Sequence, residues 1–222
     1  MESSSTTYLR ITMVDGVKVI NPPNFGWLER TLSRVEMDYL WNCVNNRTDS
    51  YKHRLAGNIH ESTTLIDVDN LFFNNTLLPL CSEYARSFSN LGDNVAVSNS
   101  HPYYLTDFWV NYQKQNEFNP VHDHGGIYSF VVWMKIPTDY HDQNQNPIAK
   151  TSHCPLVSAF QFYYTTTLGK IVPYTYEMNP NVEGTILFFP AELNHCVYPF
   201  YNCGDDRITI SGNISLNSSI VL

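Results

Sequence analysis

The hydrophobic pattern changes period near residue 90. Before it, Val35, Tyr39, Leu40 and Cys43 recur at helical spacing behind a Ser33/Glu36 capping-box pair, which predicts a helix over Ser33–Asn45. Leu71, Leu77, Leu80, Tyr84 and Phe88 can share one apolar side of a second helix over Asn70–Ser89. Closer to the start, Thr7 to Met13 reads as a short strand closed by the turn dipeptide Asp15-Gly16. After Asn90, short segments rich in Val, Ile, Tyr, Phe and Thr alternate with Asn, Pro, Gly and Asp clusters. They are Leu105–Gln115, Ile127–Ile136, Val157–Thr165, Tyr174–Met178, Gly184–Phe189, Cys196–Phe200 and Arg207–Leu216. Strands at this spacing predict a sandwich, barrel or jelly roll. The expected organisation is a helical extension over residues 1–90, integral to the fold, followed by a mainly β core over residues 91–222.

Composition agrees with the β reading. The 222 residues include fifteen Tyr and 14% aromatics but only 15% charged side chains, and aromatic residues favour half-buried pleated surfaces. The formal charge of −8 argues against non-specific nucleic-acid binding, which needs an excess of Lys and Arg. The aromatic cluster Phe160, Phe162, Tyr163 and Tyr164 has no interleaved basic patch and reads as strand core rather than a base-stacking platform. No apolar run approaches the ~18 residues of a membrane span. The start, Met1-Glu2 followed by Ser and Thr, lacks the basic and apolar regions of a secretory signal. Five scattered cysteines without a CxxC read as free thiols, so a cytoplasmic setting is expected, the host cytoplasm if the source is viral.

The chemistry concentrates in three places. In Val121-His122-Asp123-His124-Gly125-Gly126, residues i and i+2 of an extended chain face the same way. His122 and His124 can therefore point into one cavity as a bidentate metal grip, with Asp123 facing away. A third ligand must come from another strand, and His195, behind the Pro190 break, is the best candidate. In Arg207-Ile208-Thr209-Ile210-Ser211, alternation sets Arg207, Thr209 and Ser211 on one face. An inward arginine in a β-barrel is costly unless an anion pairs with it, and a ligand carboxylate would do so in bidentate fashion.

Taken together, WVNYQKQNEFNPVHDHGGIYSFVVWMKIP (Trp109 to Pro137), EGTILFFPAELNHCVYPF (Glu183 to Phe200) and RITISGN (Arg207 to Asn213) resemble the Fe(II)- and 2-oxoglutarate-dependent oxygenases, within them the phage and marine-bacterial group. The resemblance covers roughly the C-terminal half. It implies a double-stranded β-helix (jelly roll) with the N-terminal helices packed on it, and Fe(II) held by His122, His124 and His195. It further implies 2-oxoglutarate chelating the metal while Arg207, helped by the Thr209 hydroxyl, binds its distal carboxylate. Ser129 and Trp133 share a strand face and would line the co-substrate pocket, with Gln113 a further candidate. The implied reaction couples decarboxylation of 2-oxoglutarate, giving succinate and carbon dioxide, to oxidation of a small molecule or peptide, as in a hydroxylase. The chain departs from the family in one respect: His124 stands where a carboxylate is usual, and a loop that leaves extended geometry would let Asp123 ligate instead.

Other readings remain beside this one. The Gly184, Pro190 and His195 spacing matches the second motif of cupins, but the glutamate of their first motif falls where Tyr128 and Ser129 stand. A structural or binding jelly roll with a closed metal site, or Arg207 as an edge charge paired to Asp205 or Asp206, would involve no catalysis. The isolated histidines His53, His60, His101, His141 and His153 read as structural, and the sequence names neither the primary substrate nor an oligomeric state.

Overall fold

The computed structural model describes residues 10–14, 17–21, 24–88 and 101–220. Strands β1 (Arg10–Val14) and β2 (Val17–Asn21) pair antiparallel as a separate ribbon. The expected turn at Asp15-Gly16 and the start of the expected Thr7–Met13 strand lie outside the described residues. The rest is β3 (Leu28–Thr31), α1 (Arg34–Asn45), β4 (Glu61–Thr64), α2 (Leu78–Phe88), β5 (Tyr103–Gln113), β6 (Asn119–His122), β7 (Tyr128–Lys135), α3 (Tyr140–Asn144), β8 (Phe160–Thr165), β9 (Ile171–Tyr176), β10 (Thr185–Pro190), β11 (His195–Val197) and β12 (Arg207–Leu216). They form a six-stranded sheet, β3-β10-β7-β12-β5-β4, and a four-stranded sheet, β6-β11-β8-β9, with antiparallel pairing throughout. The two sheets make the double-stranded β-helix that the sequence implied.

Strand alternation divides the interior in two. Val132 of β7, Ile186 and Phe188 of β10 and Ile210 and Ile214 of β12 pack against Leu40, Val44, Leu80 and Tyr84 of the helices. The intervening Val131 and Trp133 of β7 and Leu187 and Phe189 of β10 meet Phe160 and Phe162 of β8 in a second cluster. Central strands covered on both faces read as unbroken apolar runs, which is why β7 and β10 show little alternation in the sequence. Gly212 of β12 lies where the Phe130 ring approaches so closely that a Cβ would sit 2.6 Å from it.

The N-terminal region supplies strands as well as helices. β3 and β4 add the two edges of the six-stranded sheet, yet their segments LERT and ESTT carry no strand-like apolar pattern, because an edge strand buries little. The second helix is also less regular than its periodicity predicts. A 3-10 turn (Val68–Asn70) and a π turn (Phe73–Leu77) precede α2, and Leu71 is exposed. Pro79 has no N–H for a carbonyl four residues back, so the turns before it reorganise.

Helix α1 begins where expected, with Ser33 and Glu36 exchanging cap hydrogen bonds. Burial pushes the Glu36 carboxyl up, but hydrogen bonds from Thr76, Ser33 and Arg30 outweigh it and hold it at about 2. A depressed folded-state value contributes stability that is present above the ordinary 4.5 and is lost as pH falls towards 2. Ser33→Ala should cost about 1 kcal/mol in urea unfolding at neutral pH. Glu36→Gln should flatten the decline of stability between pH 4.5 and 2.

Candidate metal centre

Strand β6 lies beside β11 in a register that sets His122 directly opposite His195, and their ring centroids are 4.3 Å apart. The chain then leaves β6 and returns through Gly125-Gly126. Gly126 has φ +106°, and a Cβ there would meet the Ile214 carbonyl at 2.8 Å, so this tight return needs glycine. The His124 N–H donates to the Ala191 carbonyl at 2.9 Å, and the His124 ring comes to 5.0 Å from each of the other two. Ligand-capable nitrogens of all three histidines lie within 4.8 Å of one another.

Second contacts orient two of these rings. The Pro120 carbonyl lies 2.7 Å from His122 Nδ1, and the Leu193 carbonyl 2.9 Å from His195 Nδ1. A carbonyl only accepts, so each Nδ1 carries a proton and Nε2 is the nitrogen left to face a metal. Burial pushes the His195 imidazole well below its ordinary 6.5, with His122 and His124 adding to the effect. His124 is lowered to about 4, first by burial and then by His122, against opposing pulls from Asp123 and Asp107. Both are neutral at neutral pH, the state a ligand needs. Asp123 is exposed and is not part of this nitrogen cluster.

Arg207 opens β12 opposite Gln113 of β5 and is 1% exposed. Its Nη2 donates to the Ser158 carbonyl at 3.0 Å and to the Ser158 hydroxyl at 2.5 Å, and Nη1 reaches Gln113 Oε1 at 3.5 Å. The guanidinium sits 5.1 Å over the Phe200 ring. Its Nε has no partner, and no carboxylate pairs with it among the described residues. Asp205 instead faces Lys135 at 3.6 Å, so the edge-charge reading of Arg207 fails: the side chain points inward. Burial lowers its pKa to about 9, which leaves it a cation at neutral pH.

The three histidines and Arg207 line one cavity of about 160 Å³, with Gln113, Thr209 and Trp133 also on its wall. Ser129 does not join them. It shares the Trp133 face as expected, but its hydroxyl donates to Asn213 Oδ1 at 2.8 Å, and it is not among the cavity's lining residues. The sequence also gave no sign of two contributors. Ser158 holds Arg207 from a loop residue at φ +69°, and the segment from Lys52 to Ile59 walls the cavity through Leu55, Ala56 and Gly57. That segment is tied to the start of β6 by the Asn58 N–H to Phe118 carbonyl bond of 2.9 Å. Long-range contacts of this kind leave no spacing in the sequence.

Residues 107–213 match the family described as "Putative 2OG-Fe(II) oxygenase". No protein of curated function matches the chain. Among solved structures, the viral collagen prolyl hydroxylase of Paramecium bursaria Chlorella virus-1, in complex with 2OG, is 15% identical, covers 85% of this chain and 94% of its own, and has a TM-score of 0.45. A Pseudomonas putida prolyl-4-hydroxylase is 12% identical over 85% of this chain and 91% of its own, at 0.49. HygX of Streptomyces hygroscopicus, with nickel, 2-oxoglutarate and hygromycin B bound, is 11% identical over 86% and 83%, at 0.44.

Manganese titration followed by electron paramagnetic resonance checks the cluster directly. His195→Ala should weaken divalent-ion binding by more than about a hundredfold, whereas Asp123→Ala should change it by less than about threefold. A severe loss in Asp123→Ala would make the carboxylate the ligand.

Proposed function

We infer that this chain, a member of the 2OG-Fe(II) oxygenase superfamily, is a hydroxylase in which His122, His124 and His195 hold the iron and Arg207 anchors 2-oxoglutarate. The observation that carries the assignment is the pairing, in one cavity, of three clustered imidazoles with a buried arginine that has no counter-anion among the described residues. Burying a lone cation is expensive unless an anion accompanies it. A dicarboxylate that reaches from the metal to Arg207 would supply that anion, and the unpartnered Nε offers a donor for it.

When bound, Fe(II) with 2-oxoglutarate would supply dioxygen-dependent oxidation, one oxygen atom going into succinate as carbon dioxide leaves and the other into a second substrate. The chain's own side chains prepare the place for it. The Pro120 and Leu193 carbonyls fix the tautomers that present Nε2. Ser158 and Phe200 hold the guanidinium in one orientation, and Thr209, on the same strand face and lining the cavity, offers its hydroxyl beside it. Gln113 has already given its amide nitrogen to the Glu117 carbonyl at 2.6 Å, so its oxygen faces Arg207. Trp133, Phe160 and Phe189 furnish apolar walls that limit water near the histidines.

Among the described residues three ligand-capable histidines open onto the cavity, whereas a closed structural zinc site takes four protein ligands, which favours the catalytic reading. The primary substrate is proposed to be a small molecule or peptide. No helix among the described residues is long and apolar enough to cross a membrane. Free thiols at Cys43, Cys81, Cys154, Cys196 and Cys203 suit a reducing compartment, and a cytoplasmic setting belongs to this proposal.

Succinate release from 2-oxoglutarate by iron-loaded protein is the direct test, and its absence together with absent 2-oxoglutarate binding would overturn the reading. Arg207→Ala should weaken 2-oxoglutarate binding by about a hundredfold or more, since removing one partner of a buried charge pair costs about 2–5 kcal/mol. Metal affinity should stay within about twofold, because Arg207 provides no metal ligand. Arg207→Lys should restore little, since an ammonium lacks the planar fork.

A further inference from the structure

The three histidines are not supported alike. His122 and His195 each donate an Nδ1 hydrogen bond to a backbone carbonyl, but among the described residues no hydrogen bond reaches the His124 ring. Apart from the other two imidazoles, its ring contact among the described residues is with the Trp109 indole, at a centroid distance of 5.8 Å. Trp109 is 2% exposed, and its Nε1 has no hydrogen-bond partner among the described residues either. Ring contact therefore sets its orientation. Tyr51 stacks on the same indole at 5.1 Å and 20°.

Tyr51 is itself tightly held. Its hydroxyl donates to Asp107 Oδ1 at 2.6 Å, and Arg54 lies 5.2 Å over its ring while pairing with the same carboxylate oxygen at 3.0 Å. The other Asp107 oxygen accepts from Asn213 Nδ2 at 3.1 Å, and Asn213 accepts from Ser129. A continuous column thus runs from the β5, β7 and β12 ladder through Asp107, Tyr51 and Trp109 to the His124 imidazole.

We propose that Tyr51 and Trp109 are positioning residues for His124, replacing by ring packing the carbonyl hydrogen bond that fixes the other two ligands. The proposal rests on His124 being a metal ligand. A ligand held by packing keeps its orientation only while the stack is complete, whereas a hydrogen-bonded ring is fixed locally. This also gives the Lys52–Ile59 wall of the cavity a mechanical link to the metal, since Tyr51 and Arg54 bracket its start.

The test uses the full chain loaded with Co(II), whose visible spectrum reports coordination, and Mn(II) affinity by electron paramagnetic resonance. Tyr51→Phe keeps the stack and should bind within about threefold of wild type. Tyr51→Ala and Trp109→Leu remove it and should weaken Mn(II) about tenfold and alter the Co(II) bands. In a His124→Ala background, Tyr51→Ala should cause no further loss, which a merely structural contribution would not produce. Wild-type spectra and affinity in folded Tyr51→Ala and Trp109→Leu overturn the proposal. Should either fail to fold, Tyr51→Leu, which retains apolar volume without a ring, carries the same comparison. Wild-type Mn(II) affinity in His124→Ala overturns instead the ligand assignment beneath it, and the proposal with it.

Discussion

The pairing of two very short strands, β6 and β11, is the constraint from which the site follows. In an antiparallel ladder, directly opposed residues bring their Cβ atoms within about 5 Å of each other. The observed register therefore makes His122 and His195 neighbours although more than seventy positions separate them. A slip of one residue would turn His122 to the other face and offer Val121 or Asp123 in its place. Strand β11 is in turn held by β8, where His195 faces Phe162. His124 needs only the tight glycine return, anchored by the Ala191 carbonyl, to complete the group.

Burial acts on both ends of the cavity with opposite chemical results. An imidazole taken out of water sheds its proton, so His124 and His195 become neutral donors of a lone pair. A guanidinium starts from so high a pKa that even a fall to about 9 leaves it charged. One end of the cavity is thus suited to a cation and the other to an anion. Three imidazole ligands would bring no negative charge to a metal, so a doubly negative co-substrate would suit both ends of the cavity electrostatically. The departure from the usual carboxylate at His124 therefore bears on charge balance as much as on ligand count.

The two-sided burial of the six-stranded sheet makes this cavity possible. One face of β7, β10 and β12 is sealed by α1 and α2, which leaves the other face free to carry Trp133 and Phe189 alongside Arg207 and Thr209. Ser129 and Asn213 occupy that same face yet serve Asp107 rather than the cavity. Face alone does not assign a role: position along the strand decides whether a side chain meets the cavity or the ladder that supports it.

The sequence by itself determined the local features. Capping chemistry at Ser33 and Glu36 placed α1, period-2 alternation placed Arg207 and Thr209 on one face, and the His-x-His spacing announced a paired grip, because each depends on residues only a few positions apart. Only the tertiary structure decided the rest. Polar edge strands β3 and β4 carry no pattern because edges bury little, and Pro79 remodelled a helix whose periodicity looked continuous. Ser129 was diverted to Asn213, Ser158 was brought to Arg207, and the Tyr51–Trp109 stack was set against His124 by contacts between distant segments. Such contacts are fixed by strand register and packing, which no local spacing encodes.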